Sequence, residues 1–266
     1  MSVMVFGYGK MGQKHVHSMK NKGIDCKFCD TSDYGCYDPE FDHAIIATPI
    51  VTHSQVYKRI RKTFDGPILL EKPAVIYREQ FYILDDVFVG LVERYNPVVN
   101  RFKEIIRDRD KNLTGELVSL EFTRLVEKCA GDPFFELAIH DIDLMVYLLD
   151  LKSDYTYEVN MECRGKVYTS TIYIKELDFA CHFSCGESKE RAYAPNARQI
   201  HAVSGGESIV ANLKEDKITR AGISTVDREQ FPHETSLFHE HNAFFANEPQ
   251  PGIKLSHDLM LRLLEC

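Results

Sequence analysis

The sequence predicts an α/β chain whose N-terminal half is a trimmed doubly wound parallel sheet and whose C-terminal half is an α+β domain with a largely antiparallel sheet. Three observations carry this. Val3-Met4-Val5-Phe6 runs straight into Gly7-Tyr8-Gly9-Lys10-Met11-Gly12, after which Met11, His15, Val16 and Met19 recur at helical spacing. The apolar run Pro67-Ile68-Leu69-Leu70, bounded by Gly66 and Pro73, reads as a buried parallel strand. From Glu116 onward, strands follow one another without helices between them, the pattern of an antiparallel sheet. The boundary falls near Pro97, giving units 1–96 and 97–266.

The chain has 266 residues, 44% of them hydrophobic, enough for a substantial core. A net charge of -8 argues against general nucleic-acid or anionic-membrane binding, both of which need a basic face. No apolar stretch reaches the length of a membrane span, and the N-terminus enters strand without a charged leader, so the expectation is a cytoplasmic protein. Eight cysteines without a secretory context are expected to be reduced. Cys26-x-x-Cys29, with Cys36 nearby, resembles metal-ligand spacing, but a zinc site would want a fourth ligand and the candidates for it are weak. Buried strand cysteines are the simpler reading, as for Cys181 and Cys185 in an alternating strand, and no metal is expected.

Strand, glycine turn and helix together form the opening of a Rossmann-like unit. The glycines permit a tight turn and close backbone approach, and the helix N-terminus receives a pyrophosphate. A second strand, Ile24 to Cys29, ends in Asp30, about 20 residues after the glycines, where a carboxylate can hydrogen-bond a ribose 2′-OH. An ordinary turn aspartate is the alternative; the distance favours the ribose role, and no Arg follows to receive a 2′-phosphate. NAD is therefore preferred over NADP. Ala44 to Ala47 form the next strand, running into Thr48-Pro49, with His53 opening a helix. The segment between Asp30 and His43 is too short for a crossover helix and another strand, so this half is trimmed. Lys72 of Glu71-Lys72-Pro73 stands at a strand's carboxyl end, where open α/β sheets hold ligands, although charged strand ends are also common on plain surfaces. A short helical stretch near Tyr77 to Leu84 precedes a strand from Val87 to Val92.

In the second half, strands are expected at Leu117 to Val126, Tyr155 to Cys163, Lys166 to Ile174 and Leu177 to Cys185, with shorter ones to about Leu213. Arg164-Gly165 and Gly205-Gly206 supply turns. One helix interrupts them, with Asp132 as N-cap and Pro133 at its first position, running to about Leu149. It is apolar almost all round, yet Glu136, His140, Asp143 and Tyr147 share one face. Such a stripe faces water, a partner or a ligand, unless Glu136 and Asp143 simply pair His140. Two amphipathic helices, Ser236 to Asn247 and Ser256 to Glu265, close the chain.

Several of these stretches together resemble the glucose-fructose oxidoreductase, inositol dehydrogenase and MocA (Gfo/Idh/MocA) family. They are Gly7 through His15, Ala47-Thr48-Pro49 with His53, Glu71-Lys72-Pro73, Val89 through Pro97, and Ala138-Ile139-His140-Asp141-Ile142-Asp143, in family order across the whole chain. The resemblance implies a nicotinamide-dependent oxidoreductase of sugars or cyclitols, with a C-terminal sheet that often joins dimers or tetramers. It implies that Lys72 and His140 flank the reacting hydroxyl. Where the family carries an aspartate four residues before that histidine, this chain has Glu136. The Val89 through Pro97 stretch is similar to members acting on nucleotide sugars, including UDP-N-acetylglucosamine 3-dehydrogenases.

The residues support that chemistry on their own terms. A neutral His140 near its ordinary pKa would take a hydroxyl proton as hydride leaves, and Lys72 would stabilise the developing alkoxide. Glu136 would orient His140 or hold a neighbouring hydroxyl. Gly7, Tyr8, Gly9, Lys10, Met11, Gly12, Asp30, Thr48, Pro49, His53, Glu71 and Lys72 are the candidate cofactor residues. Arg94, Asn96, Arg124 and Asp143 are the candidate substrate residues, the arginines for a phosphate, although plain surface solvation accounts for them equally. A reading of another class is a non-catalytic NAD- or sugar-nucleotide-binding regulator on the same fold.

Overall fold

The structure, a computed structural model, describes residues 1–30, 40–110, 117–129, 131–188, 196–204, 206–222, 226–231 and 236–266. Five parallel strands form the first sheet: β1 (Ser2–Phe6), β2 (Asp25–Cys29), β3 (His43–Ile46), β4 (Ile68–Glu71) and β5 (Phe88–Gly90). Their spatial order is β2-β1-β3-β4-β5, so β1 lies between β2 and β3. A parallel sheet covered on both faces needs continuous apolar strands, and Val5, Phe6, Ile45, Ile46, Leu69 and Leu70 are all fully buried. Helix α1 (Lys10–Asn21) sets Val16 and Met19 on the face of Val3 and Val5. Helix α2 (His53–Ile60) sets Val56 and Ile60 on the opposite face, with Phe6 and Ile46. Residues 31–39, and Cys36 with them, lie outside the described residues.

The second sheet has eight strands: β6 (Leu117–Val126), β7 (Tyr157–Arg164), β8 (Val167–Ile174), β9 (Phe179–Glu187), β10 (Arg198–Ser204), β11 (Glu207–Asn212), β12 (Lys217–Ala221) and β13 (Val226–Gln230). Their order is β13-β12-β11-β10-β6-β9-β8-β7, antiparallel throughout except that β6 and β9 run parallel. Leu120, Phe122, Ile172, Cys181, Phe183, Ile200 and Ala202 line the core face. Glu121, Thr171, His182 and His201 point the other way, as strand alternation requires. Two strands beyond Leu213 are not anticipated by the sequence pattern. Ile218 is the one buried residue of β12 and β13, so at this sheet edge the alternation that marks a strand is missing.

Helix α3 (Pro97–Asp110) follows β5, and α4 (Ile139–Leu148), α5 (Ser236–Phe245) and α6 (Ile253–Leu264) complete the chain. The helix predicted from Asp132 opens as a π-turn over Phe134–Ala138 before it becomes α4. Asp132 Oδ1 accepts from the Phe134 amide at 2.8 Å, the capping role its position predicts. The stretch near Tyr77 to Leu84 is 3₁₀ rather than α, over Arg78–Asp85. Although the second sheet is built from residues after Pro97, α5 returns to the first: Ala243 and Phe244 pack with Val5, Met19 and Ile45. Among the described residues no helix is long and apolar enough to cross a membrane.

Candidate active site

The glycine turn is shaped by close contacts on one side and open space on the other. At Gly7, φ is +93°, and a Cβ there would lie 2.7 Å from the Ala47 carbonyl oxygen. A Cβ at Gly12 would lie 1.9 Å from the Gly7 carbonyl oxygen, so α1 can approach β1 only with glycine there. Gly9 is exposed and has nothing within 4 Å of its Cβ position. It is also the N-cap of α1, without a side-chain cap, so the amides of the first turn are left for an incoming acceptor. Lys10 is exposed and Met11 partly so; Tyr8 stacks on Phe28 with ring centroids 3.7 Å apart. Asp30 is exposed just beyond β2.

Above this turn, β4 ends in Glu71-Lys72-Pro73, and the Lys72-Pro73 peptide is cis. Buried histidines hold the segment from several directions. His15 of α1 lies 2.9 Å from Glu71 Oε1, and Glu71 Oε2 accepts from the Lys72 amide at 3.2 Å. His53 of α2 has its ring nitrogens 3.1 Å from the Pro73 carbonyl oxygen and 2.9 Å from that of Thr48. His257 of α6 accepts from the Ala74 amide at 3.2 Å. Burial alone would raise the Glu71 carboxyl, but its bond to His15 and the charge of Lys72 outweigh this and hold it below the usual range. Two expectations change in detail. His53 is buried with both nitrogens on backbone oxygens, so it locks the Thr48-Pro49 loop to the lysine turn rather than facing a cofactor. Glu71, 5% exposed, likewise acts on the turn itself. Thr48 is buried, with its hydroxyl accepting from Thr52 at 2.9 Å, and Pro49 beside it is exposed.

Lys72 leaves the turn toward the π-turn of the second domain. Its Nζ donates to the Glu136 carbonyl oxygen at 2.8 Å and stands 3.4 Å from Glu136 Oε2. One of the three ammonium hydrogens then remains for a ligand. His140 is one turn further on and almost fully buried, and the charge of Lys72 reaches it. Its pKa is not near the ordinary value that the sequence suggests. Burial first, then the cations of Lys72, Arg124 and Arg198, hold it well below, so the ring is neutral. Neither carboxylate of the stripe pairs it: Glu136 is taken by Lys72 and Asp143 by Arg94, and among the described residues His140 Nδ1 has no hydrogen-bond partner.

The four candidate substrate residues are tied up in the protein itself. Arg94 donates from Nε to Asp143 Oδ2 at 2.7 Å and from Nη2 to Oδ1 at 2.5 Å, with Ser256 Oγ donating to the same carboxylate at 2.8 Å. Arg124 donates to Asp141 at 2.9 Å and to Glu93 at 3.0 Å. Both guanidinium groups are about 5% exposed or less, so neither offers its charge to a substrate phosphate. Asn96 Oδ1 accepts from the Val98 amide at 2.9 Å and caps α3. The sequence signal for these residues, a polar side chain beside a functional motif, does not separate a ligand contact from a buried ion pair. Two residues that sequence reasoning missed are Glu240 and His241 of α5, adjacent and fully buried. Their signal was there: at helical spacing positions 240 and 241 fall on either side of Phe244, on the apolar side of the helix that Leu237, Ala243 and Phe244 mark.

Cys26 and Cys29 point to opposite faces of β2, one packed with each core, so they do not converge on a metal. Burial pushes the Cys26 thiol up to about 11. Among the described residues no group of three or more His, Cys, Asp or Glu side chains has a metal-binding arrangement.

A parallel five-stranded sheet followed by a largely antiparallel eight-stranded sheet is thus the architecture that defines the fold. No family model and no curated protein sequence matches the chain. Solved structures do share the fold. UDP-N-acetylglucosamine 3-dehydrogenase GnnA from Acidithiobacillus ferrooxidans aligns with a TM-score of 0.76 at 15% identity, covering 99% of this chain and 96% of that one. A 3-ketoreductase from Actinomadura kijaniata, solved with TDP-benzene and NADP, gives 0.77 at 10%, covering 100% and 96%. An oxidoreductase from Agrobacterium radiobacter, solved with NAD+, L-tartaric acid and magnesium, gives 0.76 at 11%, covering 100% and 94%. The match along nearly the full length of each chain makes this their common fold.

Proposed function

We propose that this protein is an NAD-dependent oxidoreductase that moves a hydride between nicotinamide and a hydroxyl of a sugar, cyclitol or nucleotide sugar, in a reaction like that of UDP-N-acetylglucosamine 3-dehydrogenases. The observation that carries the proposal is the meeting of Lys72, from the end of a parallel strand, with the π-turn and helix that hold Glu136 and His140. The residues of the glycine turn fit a dinucleotide: the space at Gly9 and the uncapped start of α1 suit a pyrophosphate. Asp30 suits an unphosphorylated ribose, which favours NAD over NADP. When bound, the nicotinamide supplies the hydride acceptor.

In this reading Lys72 turns its remaining N–H to the substrate oxygen and stabilises the alkoxide as it forms. Glu136 holds the ammonium in place from the other side. His140, neutral because it is buried among cations, takes the hydroxyl proton as the C–H bond breaks. The cations that keep the ring neutral also weaken it as a base, so the transfer to His140 depends on Lys72 stabilising the alkoxide that forms. Self-association, which the family resemblance implies, would use the open face of the second sheet.

The test is a panel of sugars, cyclitols and UDP-sugars incubated with NAD+ and the full-length protein, with NADH absorbance as the readout. Turnover of at least one, abolished in Lys72→Ala, supports the reading. Tight NADH binding with no turnover across the panel would favour the non-catalytic regulator instead.

A further inference from the structure

Of the buried histidines around the lysine turn, three touch it and a fourth does not. His241 of α5 contacts no atom of Glu71 to Ala74 through a hydrogen bond, yet its Nε2 lies 2.8 Å from Nδ1 of His15. Its other nitrogen, Nδ1, lies 3.0 Å from Ser18 Oγ. The ring is fully buried. Packing alone does not call for an imidazole there, because Ala243 and Phe244 already supply the apolar contacts of α5 with the first sheet.

The direction of this chain of bonds follows from its inner end. Glu71, ionised, can only accept, so His15 Nε2 carries the hydrogen. With His241 Nε2–H donating to His15 Nδ1, the Ser18 hydroxyl closes the outer end by donating to His241 Nδ1. Every donor and acceptor is then used, and His15 is held in the one tautomer that points its N–H at Glu71. Glu71 has little freedom to turn elsewhere: a Cβ at position 90 would lie 3.0 Å from its Oε1, so the carboxylate rests against Gly90, while Oε2 takes the Lys72 amide. The relay therefore ends on the backbone of Lys72.

We propose that His241 is a positioning residue: acting through His15 and Glu71, it fixes the turn that presents Lys72 to substrate. The proposal rests on the reading of Lys72 as the substrate-facing group. The charged and titratable neighbours of the relay are Lys22 beside His241, and Lys72, His53 and Glu240 beside Glu71.

Two variants separate positioning from packing. His241→Phe keeps the ring volume and removes both hydrogen bonds, whereas His241→Gln keeps an N–H donor toward His15. Loss of the bond to His15, the one that leads on to Glu71, should lower kcat about tenfold in His241→Phe while NADH affinity changes less than about twofold, and His241→Gln should recover most of the loss. Equal kcat in His241→Phe and the unmutated protein, or no recovery with Gln, overturns the proposal. A second readout needs no substrate. The imidazole N–H of His15 that faces Glu71 should give a slowly exchanging proton signal in NMR spectra of the full-length protein and the Gln variant, lost in the Phe variant. If the unmutated protein turns over nothing, the functional reading fails by itself, and this signal still decides the relay: unchanged in His241→Phe, it refutes the proposal.

Discussion

Replacing Asp143 by Ala should destabilise the protein severely without touching cofactor binding. Asp143 receives two hydrogen bonds from Arg94 and one from Ser256, with both side chains of the ion pair at most 4% exposed. Arg94 keeps one bond to the Pro251 carbonyl oxygen, at 2.8 Å, which does not neutralise a buried guanidinium. Breaking one partner of such a pair costs roughly 3–5 kcal/mol because a charge is left without compensation. Against a total stability of about 5–15 kcal/mol this is a large fraction. At about 2–4 °C per kcal/mol for a chain of this size, it corresponds to a fall in Tm of roughly 6–20 °C. Thermal unfolding followed by circular dichroism measures it, with NADH binding below the transition as the control. The double variant Arg94→Met/Asp143→Leu removes both charges and should regain much of the loss. A Tm change below about 2 °C in Asp143→Ala, or a raised KM with unchanged stability, would refute the structural role and return Asp143 to the substrate site.

Three further outcomes follow from the same structure. Asp30→Ala should narrow a preference for NADH over NADPH measured by fluorescence titration; stronger NADPH binding in the unmutated protein would sink the ribose role of Asp30. Cys163 and Cys266 are exposed while Cys181 and Cys185 are buried with thiols pushed up, so Ellman's reagent should reach the first pair at once and the second only on unfolding. Simultaneous reaction of all four would contradict the packing. Glu240 is buried with both oxygens unpartnered among the described residues; burial, then Glu71 and Glu93, hold its pKa well above the usual value. The folded protein thus keeps a proton that the unfolded chain releases, and this group costs stability as pH rises from the unfolded value of about 4.3. Glu240→Gln should flatten that decline in Tm against pH, and parallel slopes for the two proteins would rule it out.

What could be read from the sequence was whatever repeats locally. The glycine turn, the apolar strands of the first sheet and the alternating strands to Leu213 each announce themselves within ten residues or so. Lys72 and Glu136 were also legible, because a strand end and a polar stripe on an apolar helix are local facts. β12 and β13 escaped because an edge strand with one buried residue has no pattern to read. The destinations of Arg94, Arg124 and Asp143 escaped for another reason: whether a charged side chain meets a ligand or a buried counter-ion depends on contacts some fifty positions away, as Arg94 with Asp143. His241 is the extreme case, since its partner His15 stands at the other end of the chain. The π-turn at Phe134–Ala138 also has no sequence signal, yet it is Glu136 within it that receives Lys72.

The central claim is that Lys72 and His140 act on one hydroxyl. The measurement that bears on it most directly is kcat of Lys72→Ala and His140→Ala beside the unmutated protein, on whichever alcohol the panel identifies, with NADH dissociation constants taken in parallel. Both variants should lose about 10² or more in kcat with NADH affinity nearly intact, as expected of groups that act mainly in the transition state. Undiminished turnover in either variant would contradict the account.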